Sequence, residues 1–236
     1  MKRVEGATDR RRTDTGDRIL NAAEQLFSEH GYDGVSIRDI TRLAVSRLAL
    51  ATYHFGTKEK LLESVLERRA ETLNHDRRSE LADVMSRPNP AVADVMAAFV
   101  GPYLRYASGG DPGWRNYCRL IAVLSPSGRW PNLLARLFDE TAQEFIKALM
   151  VVEPALDKAR ATRAFLFCVA TMLASFTGTT RLDRLTGGKA AAANLKETYN
   201  YLIPFMVGGV REIAETSGKA QPARKATRES RPPSRQ

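Results

Sequence analysis

The first part of the chain carries apolar residues at helical spacing. Ile19, Ala22 and Leu26 lie at i, i+3 and i+7, which is the pattern of one buried helix face. The spacing predicts an amphipathic helix over residues 17–30. Gly31 follows directly, and glycine readily adopts the left-handed conformation that ends a helix.

Signals for further helices follow within a short distance. Ser36 and Asp39 have the spacing of a capping box, so we predict a second helix over residues 37–44. A short third helix is predicted over residues 47–53, and a long fourth one begins at Lys58, capped by Thr57. Three short helices joined by turns of a few residues are typical of a helix-turn-helix unit.

The rest of the chain also has helical periodicity, and no segment has the alternation of a strand. Pro102 should kink or split a helix over residues 91–107, because proline lacks the N–H that the helix needs. The two most apolar segments, 165–176 and 199–210, predict helices buried in a core or an interface. Helix breaks are predicted in five places: residues 86–90, 108–113, 125–131, 153–154 and 187–188.

We therefore predict an all-α fold. A three-helix helix-turn-helix domain should occupy residues 14–60 and a helical domain residues 61–215. Basic, disordered segments are expected at both ends, an arm over residues 1–13 and a tail over residues 216–236.

The formal net charge of +9 lies mainly in these two ends. Residues 1–12 contain five basic and two acidic side chains, and residues 219–236 contain six and one. Residues 13–80 contain ten basic and twelve acidic side chains, so the globular part of the first domain does not attract DNA by net charge. Either the arm contributes phosphate contacts, or both ends only keep the protein soluble.

Several classes of protein are disfavoured. Cys118 and Cys168 have no metal-ligand spacing, so we expect no metal site and no disulfide framework. No signal peptide is visible, and the longest apolar run is shorter than the ~20 residues of a membrane span, so a soluble, cytoplasmic protein without membrane contact is expected. No nucleophile, triad or cofactor motif is present. We therefore expect no catalytic residues, no cofactor and no enzyme.

The first domain resembles a known family of regulators. The resemblance covers about residues 17–66 and is to the DNA-binding domain of the tetracycline-repressor (TetR) family. It implies a homodimer whose third helix reads double-stranded DNA. The matching residues are RILNAAEQLF over positions 18–27, then Gly31, Tyr32, Gly34, Ser36, Ile40 and Ala44, and finally YHFGTK over positions 53–58 with Leu61 and Leu62.

The resemblance also implies the DNA-contacting residues. Arg47 either reads a base or contacts a phosphate, and His54 either contacts DNA or packs in the small core. The candidates are Ser36, Arg38, Ser46, Arg47, Leu48, Leu50, Thr52, Tyr53, His54 and Lys58.

One position departs from the family pattern. The family's turn after helix two reads Ala-Gly-Val-Ser, whereas this chain has Ala44, Val45, Ser46 and Arg47. A valine in the left-handed conformation would cost about 1–2 kcal/mol. We therefore predict another turn geometry, with Ser46 as the N-cap of the third helix.

The ligand site and the dimer interface are placed by analogy. Arg119 could pair with a ligand carboxylate, or it forms an ion pair with Asp139 or Glu140, and most of the apolar candidates could equally be ordinary core. The ligand-site candidates are Trp114, Tyr117, Cys118, Arg119, Ile121, Phe138, Phe145, Phe165, Cys168 and Met172. The interface candidates are Phe176, Tyr199, Leu202, Ile203 and Met206.

The function expected from these features is that of a ligand-responsive transcriptional repressor. It would bind a pseudo-palindromic operator as a homodimer and be released by a small apolar or acyl-type effector. The segments 181–188 and 199–209 are similar to a subgroup that regulates fatty-acid and acyl-compound catabolism. The alternatives are an activator or ligand-independent regulator with the same reader, and a non-specific basic binder of nucleic acid or membrane surfaces.

Overall fold

A computed structural model describes the backbone of residues 3–176 and 180–216, and within these ranges the side chains from residue 15 onward. All regular secondary structure in this part of the chain is helical, which confirms the all-α prediction. Its elements are α1 Arg3–His30, α2 Ile37–Leu43, α3 Leu48–Phe55, α4 Lys58–Met85, α5 Val92–Ser108, α6 Pro112–Leu124, a 3-10 turn Ser125–Ser127, α7 Pro131–Val152, α8 Lys158–Ser175, α9 Arg181–Leu185 and α10 Leu195–Glu215.

Helix α1 is longer than the sequence predicts. It begins at Arg3, so the backbone of residues 3–13, expected to be a disordered arm, continues this helix. The segment contains no proline, and its Arg, Ala and Glu residues favour helix. The tail from residue 217 onward lies outside the described residues.

The capping signals of the first domain are confirmed. Gly31 has φ 72° and donates its backbone N–H to the Phe27 carbonyl at 3.0 Å. The Ser36 hydroxyl accepts from the Asp39 N–H, and the Asp39 carboxylate accepts from the Ser36 N–H. Thr57 caps α4 by accepting from the Lys60 N–H. These caps set the short turns that hold α2 and α3 close together.

The turn between α2 and α3 differs from the prediction. Val45 has φ 48°, in the left-handed region. Its N–H donates to the Arg42 carbonyl at 3.2 Å, and the Ser46 N–H donates to the Thr41 carbonyl at 2.9 Å. These two bonds form a Schellman motif, so valine occupies the position that glycine favours. The N-cap of α3 is Arg47, without a side-chain cap, and not Ser46.

Beyond the first domain, all five predicted breaks lie between helices. Pro102 lies inside α5, which continues through it as one helix and is not split. Helix α4 packs against α1, α5 and α7, and α10 packs against α5 and α8. One hydrophobic core runs through both domains. None of the described helices is long and apolar enough to cross a membrane.

Candidate nucleic-acid interface and ligand cavity

Helix α3 presents a row of exposed side chains. Arg47, Leu48 and Leu50 are exposed at and near its start, and Thr52 and Tyr53 are exposed further along. Only Ala51 of this helix is buried, in the core of the three-helix unit. Four of the predicted DNA-contacting residues are therefore accessible on this short helix, and a fifth, Arg47, is accessible at its N-cap.

Three other predicted contacts are differently placed. The Ser46 Oγ is buried and has no hydrogen-bond partner. His54 is half-buried, with its ring centroid 5.5 Å from that of Tyr53. The Lys58 Nζ lies 4.0 Å from the centre of the Tyr32 ring, so a phosphate contact would require this side chain to leave that ring.

Arginines at the edge of α3 add to the interface. Ser36 and Arg38, both predicted, are exposed at the start of α2. Arg18 and Arg42 line a shallow hollow together with Arg47. Sequence reasoning missed Arg18 and Arg42. Arg42 could have been predicted, because it lies four residues after Arg38 and therefore on the same face of α2.

A cavity of about 490 Å³ lies in the second domain. Helices α4 to α8 all contribute to its wall. The lining is mainly apolar, which suits a small-molecule site. Four of the predicted ligand-site residues line it: Ile121, Phe138, Phe165 and Met172.

The other six ligand-site candidates do not line this cavity. Trp114 stacks on Tyr106 with ring centroids 3.6 Å apart. The Tyr117 hydroxyl donates to the Leu66 carbonyl at 3.0 Å, and Phe145 packs in the core against Phe99 and Phe165. These aromatic residues belong to the ordinary core, as one of the alternatives held.

The remaining three of those candidates are Cys118, Cys168 and Arg119. Both thiols are buried, and burial raises the pKa of Cys118 to about 12 and that of Cys168 to about 11. Arg119 is exposed on α6 and does not line the cavity. The analogy misplaced Arg119 because it could not tell which face of α6 turns inward.

Two buried polar residues of α4, Asn74 and Arg77, line the cavity instead. They lie three residues apart and therefore on one face of the helix. Sequence reasoning missed both. The available signal was the presence of polar residues among the apolar positions of α4, between Leu73 and Leu81.

Besides the shared hydrophobic core, polar and aromatic contacts join the first domain to the second at two places in the part of the chain that the structure describes. Arg129, in the segment between α6 and α7, pairs with both carboxylate oxygens of Asp33 at 2.6 and 2.7 Å. Beside it, the Trp130 ring packs edge-on against Tyr32 with centroids 5.0 Å apart. This segment is flanked by Ser125 and Pro131, which both line the cavity.

The second contact is centred on Glu24 of α1. Its carboxylate is 1% exposed and accepts from Arg68 at 2.7 Å and from Arg69 at 3.1 Å, both on α4. Arg69 also lies over the Trp114 ring and pairs with Asp111, at the start of α6. The middle of α4 and the start of α6 are thereby tied to α1.

The predicted interface residues are only partly available for contact with another subunit. Phe176, Leu202 and Met206 are buried within the subunit, and Tyr199 and Ile203 are half-buried. Apolar residues occupy both the core face and the outer face of α10, so the sequence pattern does not distinguish the two faces.

The outer face of α10 carries Tyr201, 72% exposed, and Phe205, 69% exposed. Both line a groove with Thr171 of α8. Phe167, also exposed, lies one turn before Thr171 on α8. An exposed apolar face therefore spans α8 and α10.

Two protein-family models match this chain, one in its first part and one further along. Residues 19–65 match the family model of bacterial regulatory proteins, tetR family, and residues 97–209 match that of the tetracyclin repressor-like C-terminal domain. The HTH-type transcriptional repressor Rv3405c of Mycobacterium tuberculosis is 33% identical over 190 residues, which cover 77% of this chain and 88% of that protein. The chain belongs to the TetR family of transcriptional regulators.

Other relatives of this TetR family member extend the likeness. The transcriptional repressor NicS of Pseudomonas putida is 38% identical over 95 residues, 39% of this chain and 43% of NicS, so this match spans less than half of that repressor. The structure of the fatty acid degradation regulator FadR from Bacillus halodurans has a TM-score of 0.55 at 17% identity, covering 84% of this chain and 96% of FadR. FadR from Bacillus subtilis in complex with stearoyl-CoA has a TM-score of 0.54 at 16% identity, covering 81% and 97%. At these identities the FadR structures show a shared fold.

Proposed function

We propose that this TetR family member is a ligand-responsive repressor that binds a pseudo-palindromic operator as a homodimer and is released by a small, largely apolar effector. The observation that carries the proposal is the connection between two sites. The apolar cavity of about 490 Å³ is bounded by a segment that also holds the reader through Arg129 and Asp33. What fills the cavity can therefore act on the orientation of α3.

The exposed residues of α3 supply the chemistry for reading DNA. Arg47 can bridge O6 and N7 of a guanine, and Leu48 or Leu50 can contact a thymine methyl group. Arg18, Arg38 and Arg42 around them are suited to phosphate contacts, which set affinity and register rather than sequence preference.

A pseudo-palindrome requires two readers at a fixed separation. We propose that two copies pair through α8 and α10, with Tyr201, Phe205 and Phe167 in the interface. These three side chains are exposed in the single subunit. Burying them against a second copy would remove a large apolar area from water, and a two-fold axis would make the interface self-complementary.

Release would follow from a shift between two conformers. An effector changes the operator affinity only if it binds better to the conformer whose α3 helices are wrongly spaced. Movement of the segment between Ser125 and Pro131 would be transmitted through Arg129 and Trp130 to Asp33 and Tyr32. The similarly folded FadR from Bacillus subtilis, whose structure is a complex with stearoyl-CoA, supports an acyl-type effector as one candidate.

The deciding experiment is selection of DNA by the purified protein from a random pool, followed by sequencing. We expect an inverted repeat. In Arg47→Ala, preference should relax at one base pair by about 1–3 kcal/mol, whereas Arg38→Ala should weaken binding to all sequences alike. Arg119→Ala is the matched control, because this exposed arginine lies on α6. A pool without an enriched motif would favour the non-specific binder.

A second experiment adds effector candidates to the protein bound to its selected operator and measures operator binding. It distinguishes a ligand-released repressor from a ligand-independent regulator and from a regulator that needs its ligand to bind DNA. Loss of operator binding supports release. Unchanged binding supports a ligand-independent regulator, and strengthened binding supports a regulator that its ligand recruits to DNA. In Asp33→Asn the effector should still bind, but its effect on operator affinity should shrink.

A further inference from the structure

The cavity holds a buried positive charge. Arg77 is 4% exposed and lines the cavity wall. Its Nε donates to the Phe99 carbonyl at 3.0 Å, and its guanidinium carbon lies 4.0 Å from the centre of the Phe99 ring. Neither partner carries a charge. Burial lowers the pKa of Arg77 to about 10, which leaves it protonated at neutral pH.

No carboxylate forms an ion pair with Arg77 in the part of the chain that the structure describes. The one acidic side chain among the residues that line the cavity, Asp139, is exposed. Buried charges in proteins are normally paired, because an isolated charge in an apolar environment is very costly. The cavity therefore carries a charge that the described protein groups do not neutralise.

A second polar group on the same helix face has an unused hydrogen-bonding atom. The Asn74 Nδ2 donates to the Leu137 carbonyl at 2.6 Å, but its Oδ1 is buried without a hydrogen-bond partner. Asn74 is 3% exposed and lines the cavity beside Arg77. A hydrogen-bond donor from a ligand or from water would satisfy this acceptor. Arg77 and Asn74 together form a polar patch on the α4 wall of the cavity.

The opposite walls leave room for an apolar body. Phe138, Phe165, Val169 and Leu173 line the cavity from α7 and α8. A neutral apolar molecule would fill this space but would leave Arg77 without a counter-ion. An apolar molecule that ends in an anion satisfies both parts of the cavity.

Resting on the proposed function, we propose that the effector is an apolar carboxylic acid, whose carboxylate pairs with Arg77 while its hydrocarbon part lies against α7 and α8. The planar guanidinium is suited to bidentate pairing with a carboxylate. A carboxylate has no hydrogen to donate, so the Asn74 Oδ1 would take a donor from another part of the ligand or from water.

The test compares ligands that differ only in this charge. Binding of decanoate and decanamide, and of 2-naphthoate and 2-naphthamide, is measured by calorimetry at neutral pH with the full-length protein and without DNA. In at least one pair, we expect the acid to bind about tenfold more tightly than its amide, or more, equivalent to at least ~1.4 kcal/mol.

Arg77→Met removes the charge and keeps the unbranched shape, and it should abolish the preference for the acid while amide binding changes little. Arg105→Met is the matched control, because Arg105 lies outside the cavity, and should keep the preference. The inference is overturned if neither acid binds more tightly than its amide, or if Arg77→Met keeps the preference. The comparison in the unaltered protein decides the question should Arg77→Met fail to fold.

The experiments distinguish failure of this inference from failure of the proposed function. If the protein selects an operator but shows no preference for acids, the role of Arg77 is wrong and the proposed operator binding stands. If the protein prefers acids but selects no DNA sequence, the proposed operator binding is wrong and the role of Arg77 stands.

Discussion

Val45 is held in a backbone conformation that glycine adopts without strain. Its φ of 48° is imposed by the two Schellman hydrogen bonds at the end of α2. The side chain itself is 82% exposed, so it gains little from packing. The strain is thus a local cost at the turn that positions α3.

We expect Val45→Gly to raise the free energy of unfolding by about 1 kcal/mol, because it removes a left-handed β-branched residue. Chemical denaturation measures the change. Val45→Ala is the control and should give a much smaller gain, since alanine retains a Cβ at the same φ. An unchanged or lowered stability in Val45→Gly would mean that the turn is not strained.

Arg77 is the other residue at which stability and function should oppose each other. In the free protein its desolvated charge is unpaired, and an isolated buried charge is costly. Arg77→Met should therefore leave stability unchanged or raise it, by analogy with the gain of about 1–4 kcal/mol when a buried ion pair is replaced by apolar residues. Thermal unfolding without ligand measures this. A clear loss of stability would show that the contacts with Phe99 outweigh the cost of burial.

At the scale of elements, α1 and α4 are joined by a buried ion pair. Glu24 accepts from Arg68 and Arg69 and is almost inaccessible to solvent. Ion pairs at the surface contribute little to stability, but a buried pair that loses one partner leaves charges without compensation. The position of α1 on α4 should therefore depend strongly on this carboxylate.

We expect Glu24→Gln to lower the free energy of unfolding by about 3 kcal/mol, because two arginines lose their anion. The matched control is Glu63→Gln, whose carboxylate is 41% exposed and lies 3.8 Å from Arg136; that change should cost less than about 1 kcal/mol. Urea denaturation of the two variants separates these values. Equal costs would contradict the special role of Glu24.

At the scale of the whole molecule, the proposed dimer depends on which face of α10 points outward. Leu202 and Met206 face the subunit's own core, so a charge there would unfold the subunit and would not test the interface. Tyr201 and Phe205 face outward and can be altered without opening that core.

We expect Phe205→Asp to produce folded monomers with much weaker operator binding, since one reader holds only half of the operator. Sedimentation gives the oligomeric state and circular dichroism the fold. Val151→Asp is the matched control, because Val151 is an apolar side chain of α7 that is 63% exposed and lies outside the α8–α10 groove. A Phe205→Asp protein that remains dimeric would rule out this interface.

The family and the helix ends of the first domain could be predicted from the sequence alone. Gly31, Ser36 and Thr57 act through neighbours a few residues away in the chain, so their effect on helix ends can be read from spacing alone. The breaks between the later helices are equally local, because proline and glycine act on their own backbone. The prediction was wrong at Val45, where two hydrogen bonds at the end of α2 hold a valine in the conformation that glycine favours.

Which face of each helix is buried in the subunit depends on the tertiary packing and could not be predicted from the sequence. An apolar residue such as Leu202 or Phe145 looks the same in sequence whether it meets its own core, a cavity or a second subunit. Arg77 and Arg119 are likewise both arginines on apolar helices, yet one is buried in the cavity wall and the other is in solvent. The difference arises from how helices distant in sequence pack together, and no local pattern encodes that packing.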